Sequence, residues 1–251
     1  MKMYEVGGCI RDEILGIPSK DVDFSVVLDG NDAVLMGDTS PFEYMVNKLK
    51  HMGFEIFLET PEHLTVRAQF PRSYMIAGDN KGLTADFVLA RKEGTYTDGR
   101  RPDFVEPGTL EDDLARRDFT MNAIAKAPDG TLIDPFNGQM DIRMRQIRAV
   151  GDPMERLTED ALRAVRAVRF AVTKGFKIDP ALAQAMESYP VWRAVKDNIS
   201  DERIQVETSK MFRFDTRESL LILERFPALR TAMFSGSVSL DATMKTKGRG
   251  K

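Results

Sequence analysis

The apolar positions in the first 28 residues predict a strand, a tight turn, a short helix and a second strand. Residues 3–6 form a short apolar run. Gly7 and Gly8 follow it and let the backbone turn sharply and approach a ligand closely, because neither residue carries a Cβ. Residues 11–15 have helical character, and a glycine and a proline then end the helix. A strand-like run at 24–28 completes this unit.

Between residues 29 and 125 the pattern continues to predict both strands and helices. It indicates a loop at 29–40, a helix at 41–52, strands at 54–58, 64–70 and 84–91, and loops at 71–83 and 92–108. Thr109 is placed to cap a helix over 110–125, with Asp112 three residues later as a loose variant of the capping box. Spacing in that helix would put Arg117, Thr120 and Met121 on one face.

The pattern changes near residue 140, where arginines become frequent and runs typical of strands disappear. Helices are predicted at 154–174, 180–188, 201–214 and 216–234. From residue 235 the chain is rich in Ser, Gly, Thr and Lys, a composition typical of a disordered segment. We therefore expect domains at 1–140 and 141–234, followed by a disordered basic tail at 235–251.

Composition narrows the class of protein. Of 251 residues, 42% are hydrophobic and 30% are charged, which is ordinary for a globular chain. The sequence has no apolar run of membrane-spanning length and no signal-peptide pattern before the first strand. Its single cysteine, Cys9, excludes an internal disulfide. From these features we expect a cytoplasmic protein. Two histidines and one cysteine argue against tetrahedral zinc. A net charge of −3 gives no global attraction to nucleic acid, so RNA contacts must come from local basic patches.

Acidic residues near the glycine turn are the first candidates for chemistry. Asp21 and Asp23 are two residues apart at the start of a strand, so their side chains should project to the same face. A divalent cation such as Mg²⁺, which prefers hard oxygen ligands, would offset their mutual repulsion. Asp86 interrupts the apolar strand at 84–91 and is either a strand-edge residue or a third carboxylate facing the first two. A lone Gly-Gly or a lone Asp-x-Asp is usually structural, but their combination at this spacing indicates nucleotide chemistry.

Charged residues repeat along the helix predicted at 154–174. Asp160 and Arg163 are three residues apart and should share a helix face, and Arg166 and Arg169 continue that spacing. Arginines repeated on one face usually form a solvated surface. The broad apolar stripe of this helix indicates instead that it is largely buried, so its arginines need partners.

The string at 7–24 resembles the nucleotide-binding signature of the tRNA nucleotidyltransferase and bacterial poly(A) polymerase family, the class II template-independent polymerases. Further strings resemble other features of that family in the same order, at 112–123, 134–138, 159–170 and 202–211. The similarity covers roughly residues 3 to 214.

The resemblance implies an α+β fold. An N-terminal nucleotidyltransferase head with a mixed or antiparallel sheet and flanking helices would be followed by an all-α neck that recognises the base and binds RNA. It also implies transfer of CMP and AMP from CTP and ATP to the 3′ end of tRNA, which rebuilds the terminal CCA by a two-metal mechanism with Mg²⁺. One Asp and one Arg would read the base, because cytosine and adenine both offer an exocyclic amino donor where uracil and guanine present a carbonyl.

The resemblance assigns a role to each matching residue. Asp21 and Asp23 would hold the metal, and Asp86 would orient the nucleophile. Phosphate binding would fall to Gly7, Gly8, Arg11 and Arg117. Asp118 and Asn122 would hold the sugar side or brace their helix. The base would be read by Asp160 and Arg163, with support from Arg166 and Arg169. Arg203 would stabilise the base-reading helix, although a surface salt bridge would explain it nearly as well.

One departure and several alternatives stay open. Family members usually continue into helical body and tail domains, whereas little ordered sequence is expected after about residue 235. The chain would then dimerise, use an accessory partner, or act on a smaller RNA end. Within the family, a poly(A), CC-only or A-only polymerase is an alternative. Outside it are a non-catalytic RNA-binding remnant and an Mg²⁺-dependent nucleotidyltransferase that acts on a small molecule or a protein.

Overall fold

The computed structural model describes residues 1–19, 22–71, 84–94 and 105–236. These residues separate into two compact units. The first contains described residues up to 93, together with 105–117 and 121–142. The second contains residue 94, residues 118–120 and residues 143–236.

A mixed β-sheet forms the centre of the first unit. The first five strands of this sheet in the described residues are β1 (Lys2–Val6), β2 (Val22–Val27), β3 (Glu55–Thr60), β4 (Thr65–Gln69) and β5 (Thr84–Leu89). Next along the chain, β6 (Arg91–Glu93) and β7 (Val105–Pro107) form a separate antiparallel pair. The last two strands of the main sheet are β8 (Ala125–Lys126) and β9 (Leu132–Ile133). The sheet order is β3-β4-β5-β2-β1-β8-β9, with β2 and β5 parallel and the other neighbours antiparallel.

Helix α3 packs against one face of this sheet through an apolar stripe with the helical period. The helices of the first unit are α1 (Gly8–Ile14), α2 (Gly30–Met36), α3 (Pro41–His51), α4 (Leu110–Ala115) and α5 (Gly138–Met144), the last of which ends in the second unit. The buried stripe of α3 includes Phe42, Met45 and Leu49, and these side chains join Phe24 and Phe87 in one hydrophobic core. The rings of Phe24 and Phe87 stack with centroids 5.0 Å apart.

The second unit is mainly helical. Its helices are α6 (Pro153–Glu159), α7 (Leu162–Lys174), α8 (Pro180–Met186), α9 (Tyr189–Asn198), α10 (Asp201–Phe214), α11 (Thr216–Glu224) and α12 (Pro227–Met233). Helix α7 is the most buried of them and packs against α10 and α11. Two short parallel strands, β10 (Gln146–Ile147) and β11 (Lys177–Ile178), also belong to this unit. The predicted α+β class is confirmed, but the second unit is not purely helical.

The prediction of a loop at 29–40 was wrong, because α2 occupies much of it. Asp29 caps this helix, and Asp32 returns a hydrogen bond to the backbone N–H of Asp29. Asp, Asn and Gly residues indicated a loop, but here they form the capping turn of a helix. The ends of the predicted loop at 92–108 also form the paired strands β6 and β7.

The helix predicted over 110–125 is shorter, since α4 ends at Ala115 and a 3-10 turn follows at Thr120–Asn122. Arg117, Thr120 and Met121 therefore do not share a helix face. The predicted cap is confirmed, because Thr109 and Asp112 form a full capping box.

Two other long helices are interrupted. The helix predicted at 154–174 breaks at Asp160, which has an extended backbone with φ −144° and ψ 101°. The helix predicted at 216–234 breaks before Pro227, which begins α12, because proline cannot continue a helix from within. Helix α9 was not predicted.

Three predictions lie wholly or largely outside the described residues. They are the loop at 71–83, the centre of the loop at 92–108, and the disordered tail at 235–251. Among the described helices, none is long and apolar enough to cross a membrane.

Candidate active site

The glycine turn connects β1 directly to α1. Gly7 has φ +82° and ψ −132°, a conformation that side chains rarely adopt, and α1 begins at the next residue. A Cβ on Gly7 would lie 2.8 Å from Nη1 of Arg117 and 3.9 Å from Oδ2 of Asp23. The turn therefore brings backbone, a guanidinium group and a carboxylate together at one end of the sheet.

Two of the three predicted carboxylates lie side by side. Asp23 on β2 and Asp86 on the parallel strand β5 are in register. Both project away from the face that carries Phe24 and Phe87, because alternate strand residues point to opposite faces. Asp21 lies outside the described residues. Within the described ranges, no group of three or more His, Cys, Asp or Glu side chains could hold a metal ion.

Arg11 and Asn122 support the glycine turn. The Arg11 side chain is buried, and its Nη1 donates to Oδ1 of Asn122 at 2.6 Å. Its Nε and Nη2 donate to the two carboxylate oxygens of Asp12 at 2.9 and 3.0 Å. The guanidinium is thereby held in one orientation beneath the turn. Asp12 was not among the predicted site residues.

Arg117 is held by a buried carboxylate that sequence reasoning also missed. Its Nη2 donates to Oδ2 of Asp113 at 3.1 Å, and its Nη1 donates to the backbone oxygen of Asn122 at 3.4 Å. Asp113 also accepts hydrogen bonds from Arg116. Burial acts to raise the pKa of Asp113, but the charges and hydrogen bonds of Arg116 and Arg117 outweigh it, and the pKa lies below its ordinary value. An ionised Asp113 fixes Arg117 beside Gly7. Asp113 stands inside the string at 112–123, but its burial could not be read from that string.

The second unit contains a network of charged side chains. Arg166 donates twice to Oδ2 of Asp118, from Nε at 2.9 Å and from Nη2 at 2.7 Å. Glu207 on α10 forms an ion pair with Arg169 and lies 3.7 Å from Nη1 of Arg166. Burial acts to lower the pKa of Arg166, but Asp118 and Glu207 raise it above its ordinary value. The prediction that these arginines need partners is confirmed.

Glu207 is the principal residue of this network that sequence reasoning did not assign. Its side chain is buried on α10, and it compensates two arginines of α7. The string at 202–211 contains it, so a signal was present. The guanidinium of Arg169 also lies 3.8 Å from the ring centroid of Phe170, which adds a cation–π contact.

Asp160 and Arg163 do not share a helix face, contrary to the prediction, because Asp160 lies in the break between α6 and α7. Asp160 accepts a hydrogen bond from the backbone N–H of Leu162 at 3.1 Å and another from Nη2 of Arg203 at 3.1 Å. Arg163 donates to Oε2 of Glu159 at 2.6 Å. The two candidate base-reading side chains are thus each oriented by a different neighbour.

The structure groups the predicted residues into two sets. In the first unit, the described members are Gly7, Gly8, Arg11, Asp23, Asp86, Arg117 and Asn122. In the second unit they are Asp118, Asp160, Arg163, Arg166, Arg169 and Arg203. The first set surrounds a turn with carboxylates and cations. The second set consists of charged side chains on α7 and of charged side chains before α7 or on α10, each held by hydrogen bonds or ion pairs.

Comparisons with known proteins show which proteins this chain is similar to. The family model described as the poly A polymerase head domain matches residues 3–148. The CCA-adding enzyme of Levilactobacillus brevis is 44% identical over 210 residues, which cover 83% of this chain and 45% of that protein. The chain spans about half the length of the curated relatives it matches.

Solved structures show the same similarity. The crystal structure of the Bacillus stearothermophilus CCA-adding enzyme in complex with CTP has a TM-score of 0.68 and 32% identity, covering 90% of this chain and 48% of that one. A tRNA nucleotidyltransferase complexed with a primer tRNA and an incoming ATP analog has a TM-score of 0.67 and 29% identity, covering 94% of this chain and 60% of that one. The chain therefore belongs to the family of tRNA nucleotidyltransferases and bacterial poly(A) polymerases.

Proposed function

We propose that the protein transfers CMP and AMP from CTP and ATP to the 3′ end of tRNA and so adds or repairs the terminal CCA. The observation that carries this proposal is the placement of Asp23 and Asp86 in register beside the Gly7 turn, where Arg117 also lies. The relatives support it, since they are CCA-adding enzymes. Nucleotidyl transfer needs groups that hold a cation and groups that bind a triphosphate. Carboxylates can do the first and a guanidinium group can do the second.

The carboxylates fit a divalent metal. Asp23 and Asp86 are hard oxygen donors on neighbouring strands, and Asp21 precedes Asp23 by two residues. Asp21 and Asp23 would hold Mg²⁺, which in a two-metal mechanism activates the 3′-hydroxyl nucleophile and neutralises the leaving pyrophosphate. Asp86 would orient the attacking hydroxyl.

The glycine turn and its cations would bind the triphosphate. Gly7 and Gly8 leave room for phosphate oxygens to approach the backbone. Arg117 would place its charge on the triphosphate while Asp113 holds its far side. Arg11 would also bind the triphosphate near the turn, and Asn122 fixes the orientation of the Arg11 side chain.

Residues of the second unit would select the nucleotide. Asp118, which accepts two hydrogen bonds from Arg166, would hold the sugar side, and Arg166 and Arg169 would support the base-reading residues from α7. Asp160 and Arg163 would pair with the edge of cytosine or adenine, and Arg203 would orient Asp160. UTP and GTP would leave a buried polar group unpaired, at about 1–3 kcal/mol for each missing hydrogen bond.

This proposal assigns the catalytic head to residues 1–140 and the helical neck to 141–234. It places the reaction in the cytoplasm, where CTP, ATP and tRNA are available.

A product-length assay tests the proposal. The protein is incubated with Mg²⁺, a tRNA that ends at the discriminator base, and labelled CTP, ATP or both. We expect growth by two C residues and then one A. Long A tracts would instead favour a poly(A) polymerase, which the description of the matching family model supports as the second candidate. Addition of C alone, or of one A to a CC end, would reassign the protein to a CC-only or A-only enzyme.

Matched variants separate catalysis from folding. Asp21→Ala/Asp23→Ala should abolish incorporation. Asp38→Ala/Glu62→Ala removes two exposed carboxylates of the first unit and should leave incorporation unchanged. An Asp21→Ala/Asp23→Ala protein that still extends RNA would refute the assigned metal site. No incorporation by the unaltered chain on any RNA end would refute an enzyme that acts alone and would favour a partner-dependent enzyme or the RNA-binding remnant.

A further inference from the structure

Three charged residues form a row across neighbouring strands of the sheet. Arg67 on β4 is in register with Asp86 on β5, and Asp86 is in register with Asp23 on β2. The flanking residues Val66 and Ala68 are fully buried in the core, so Arg67 projects to the same face as the two carboxylates. Arg67 is also the one charged residue of β4.

Arg67 binds Asp86 with a paired geometry. Its Nε donates to Oδ1 at 2.6 Å and its Nη2 donates to Oδ2 at 2.6 Å. Two parallel hydrogen bonds fix both the position and the plane of a carboxylate. Each carboxylate oxygen accepts one bond from Arg67 and keeps a further lone pair for another ligand.

The solvent exposure of the Arg67–Asp86 pair argues against a purely structural role. The Arg67 side chain is 49% exposed and that of Asp86 is 28% exposed. Ion pairs with this exposure contribute little to folding stability. The effect of Arg67 should instead be local, since it adds positive charge next to two carboxylates that repel each other in adjacent strands.

We propose that Arg67 is a positioning residue that fixes the Asp86 carboxylate and weakens the attraction of the Asp23–Asp86 row for a divalent cation. This inference rests on the proposed function, because that function places a cation at the row. Arg67 lowers cation affinity through its charge, and it supports nucleotidyl transfer through the orientation it imposes on Asp86. Removing Arg67 should therefore raise the affinity for the cation and lower the rate of nucleotidyl transfer.

The test measures Mn²⁺ binding by electron paramagnetic resonance on the full chain without nucleotide, and transfer separately by the product-length assay. Arg67→Met should bind Mn²⁺ about tenfold more tightly at low ionic strength, as expected for loss of a unit charge near a divalent ion in a solvent-exposed site, and less so at high salt. Its transfer rate at saturating Mg²⁺ should fall by about tenfold or more, because Asp86 loses its fixed orientation. Arg67→Gln is a second neutral variant for which the same results are expected.

Two further variants separate charge from geometry. Arg67→Lys keeps the charge but not the paired hydrogen bonds, so its Mn²⁺ affinity should match that of the unaltered protein while transfer falls. Lys50→Met removes an exposed cation of the first unit, which pairs with Glu59 at 3.3 Å, and should change neither quantity.

Each result decides the inference. Mn²⁺ binding by Arg67→Met and Arg67→Gln that is no tighter than that of the unaltered protein would overturn it. So would an Asp23→Ala protein that binds Mn²⁺ normally, since the cation would then not lie at this row. Tighter Mn²⁺ binding by the neutral variants, in a protein that extends no RNA end, would support the effect of Arg67 and refute the proposed function alone.

Discussion

Replacing Gly7 with alanine should damage both the fold and the candidate triphosphate site. With φ +82° and ψ −132°, a side chain at this position costs about 1–3 kcal/mol in backbone strain. The added Cβ would lie 2.8 Å from Nη1 of Arg117, so the guanidinium must move. Weakening its hydrogen bond to Asp113 would cost about 0.5–1.5 kcal/mol more. We expect the free energy of unfolding to fall by about 1.5–4.5 kcal/mol in total.

Gly7→Ala should also lower activity, for a reason separate from folding. A displacement of about 1 Å in a substrate-binding group can lower the rate about 100-fold, so we expect a loss of that order in kcat/KM for CTP and ATP. Gly130→Ala is the matched control, because Gly130 has φ +86° but no atom within 4 Å of the added Cβ. It should lose about 1–2 kcal/mol of stability with no loss of transfer.

Urea denaturation followed by circular dichroism measures the stabilities, and single-nucleotide incorporation measures kcat/KM. In a double-mutant cycle, Arg117→Ala should relieve part of the stability cost of Gly7→Ala, because it removes the contacting group. Additive costs in that cycle, or a Gly7→Ala protein with normal kcat/KM, would refute the conclusion that Gly7 makes room for Arg117.

The remaining predictions concern buried charges and base selection. Glu207→Ala should lower the free energy of unfolding by about 3–5 kcal/mol, because Arg169 loses its carboxylate partner and Arg166 loses Glu207 but keeps Asp118, whereas Lys210→Met on the same helix should have little effect in the same urea titration. Asp160→Asn should lower the preference for CTP over UTP by about tenfold or more in competition assays, and an unchanged ratio would contradict its base-reading role. Asp113 has a lowered pKa, so the stability it contributes is full above its unfolded pKa of about 3.9 and is lost as the pH falls through its lower folded pKa. Asp113→Asn should remove that acid-dependent part of the unfolding profile, and an unaltered profile would contradict the assignment.

Local sequence patterns predicted most of the sheet and the positions of its signatures. The strands β1, β2, β4 and β5 lie close to their predicted bounds because apolar residues dominate one face of each. The placement of Asp86 beside Asp23 agrees with one part of the prediction that Asp86 faces Asp21 and Asp23, whereas Asp21 lies outside the described residues. The bounds of each strand depend on the chain over a few residues, so a single sequence contains that information. The prediction for Asp86 came instead from the resemblance to the family, because Asp23 and Asp86 are distant in sequence.

Helix ends were predicted less well, because the residues that break or cap a helix also occur in loops. Asp29 and Asp32 indicated a loop but cap α2. Asp160 has an ordinary place in a helical pattern, yet it adopts an extended backbone and accepts hydrogen bonds from Leu162 and Arg203. Tertiary partners decide such positions, and they override a spacing rule that assumes an uninterrupted helix.

The partners of the charged residues could not be predicted from local pattern, since they are distant in sequence. Arg67 is separated from Asp86 by 19 residues, and Arg169 from Glu207 by 38. A sequence can indicate that a buried arginine needs a carboxylate, but several carboxylates satisfy that need until strand register and helix packing select one. The selected partners, Arg67, Asp113 and Glu207, were all absent from the predicted site. Each holds a predicted site residue in place, so in this chain the supporting side chains, more than the signature residues, required the structure for their identification.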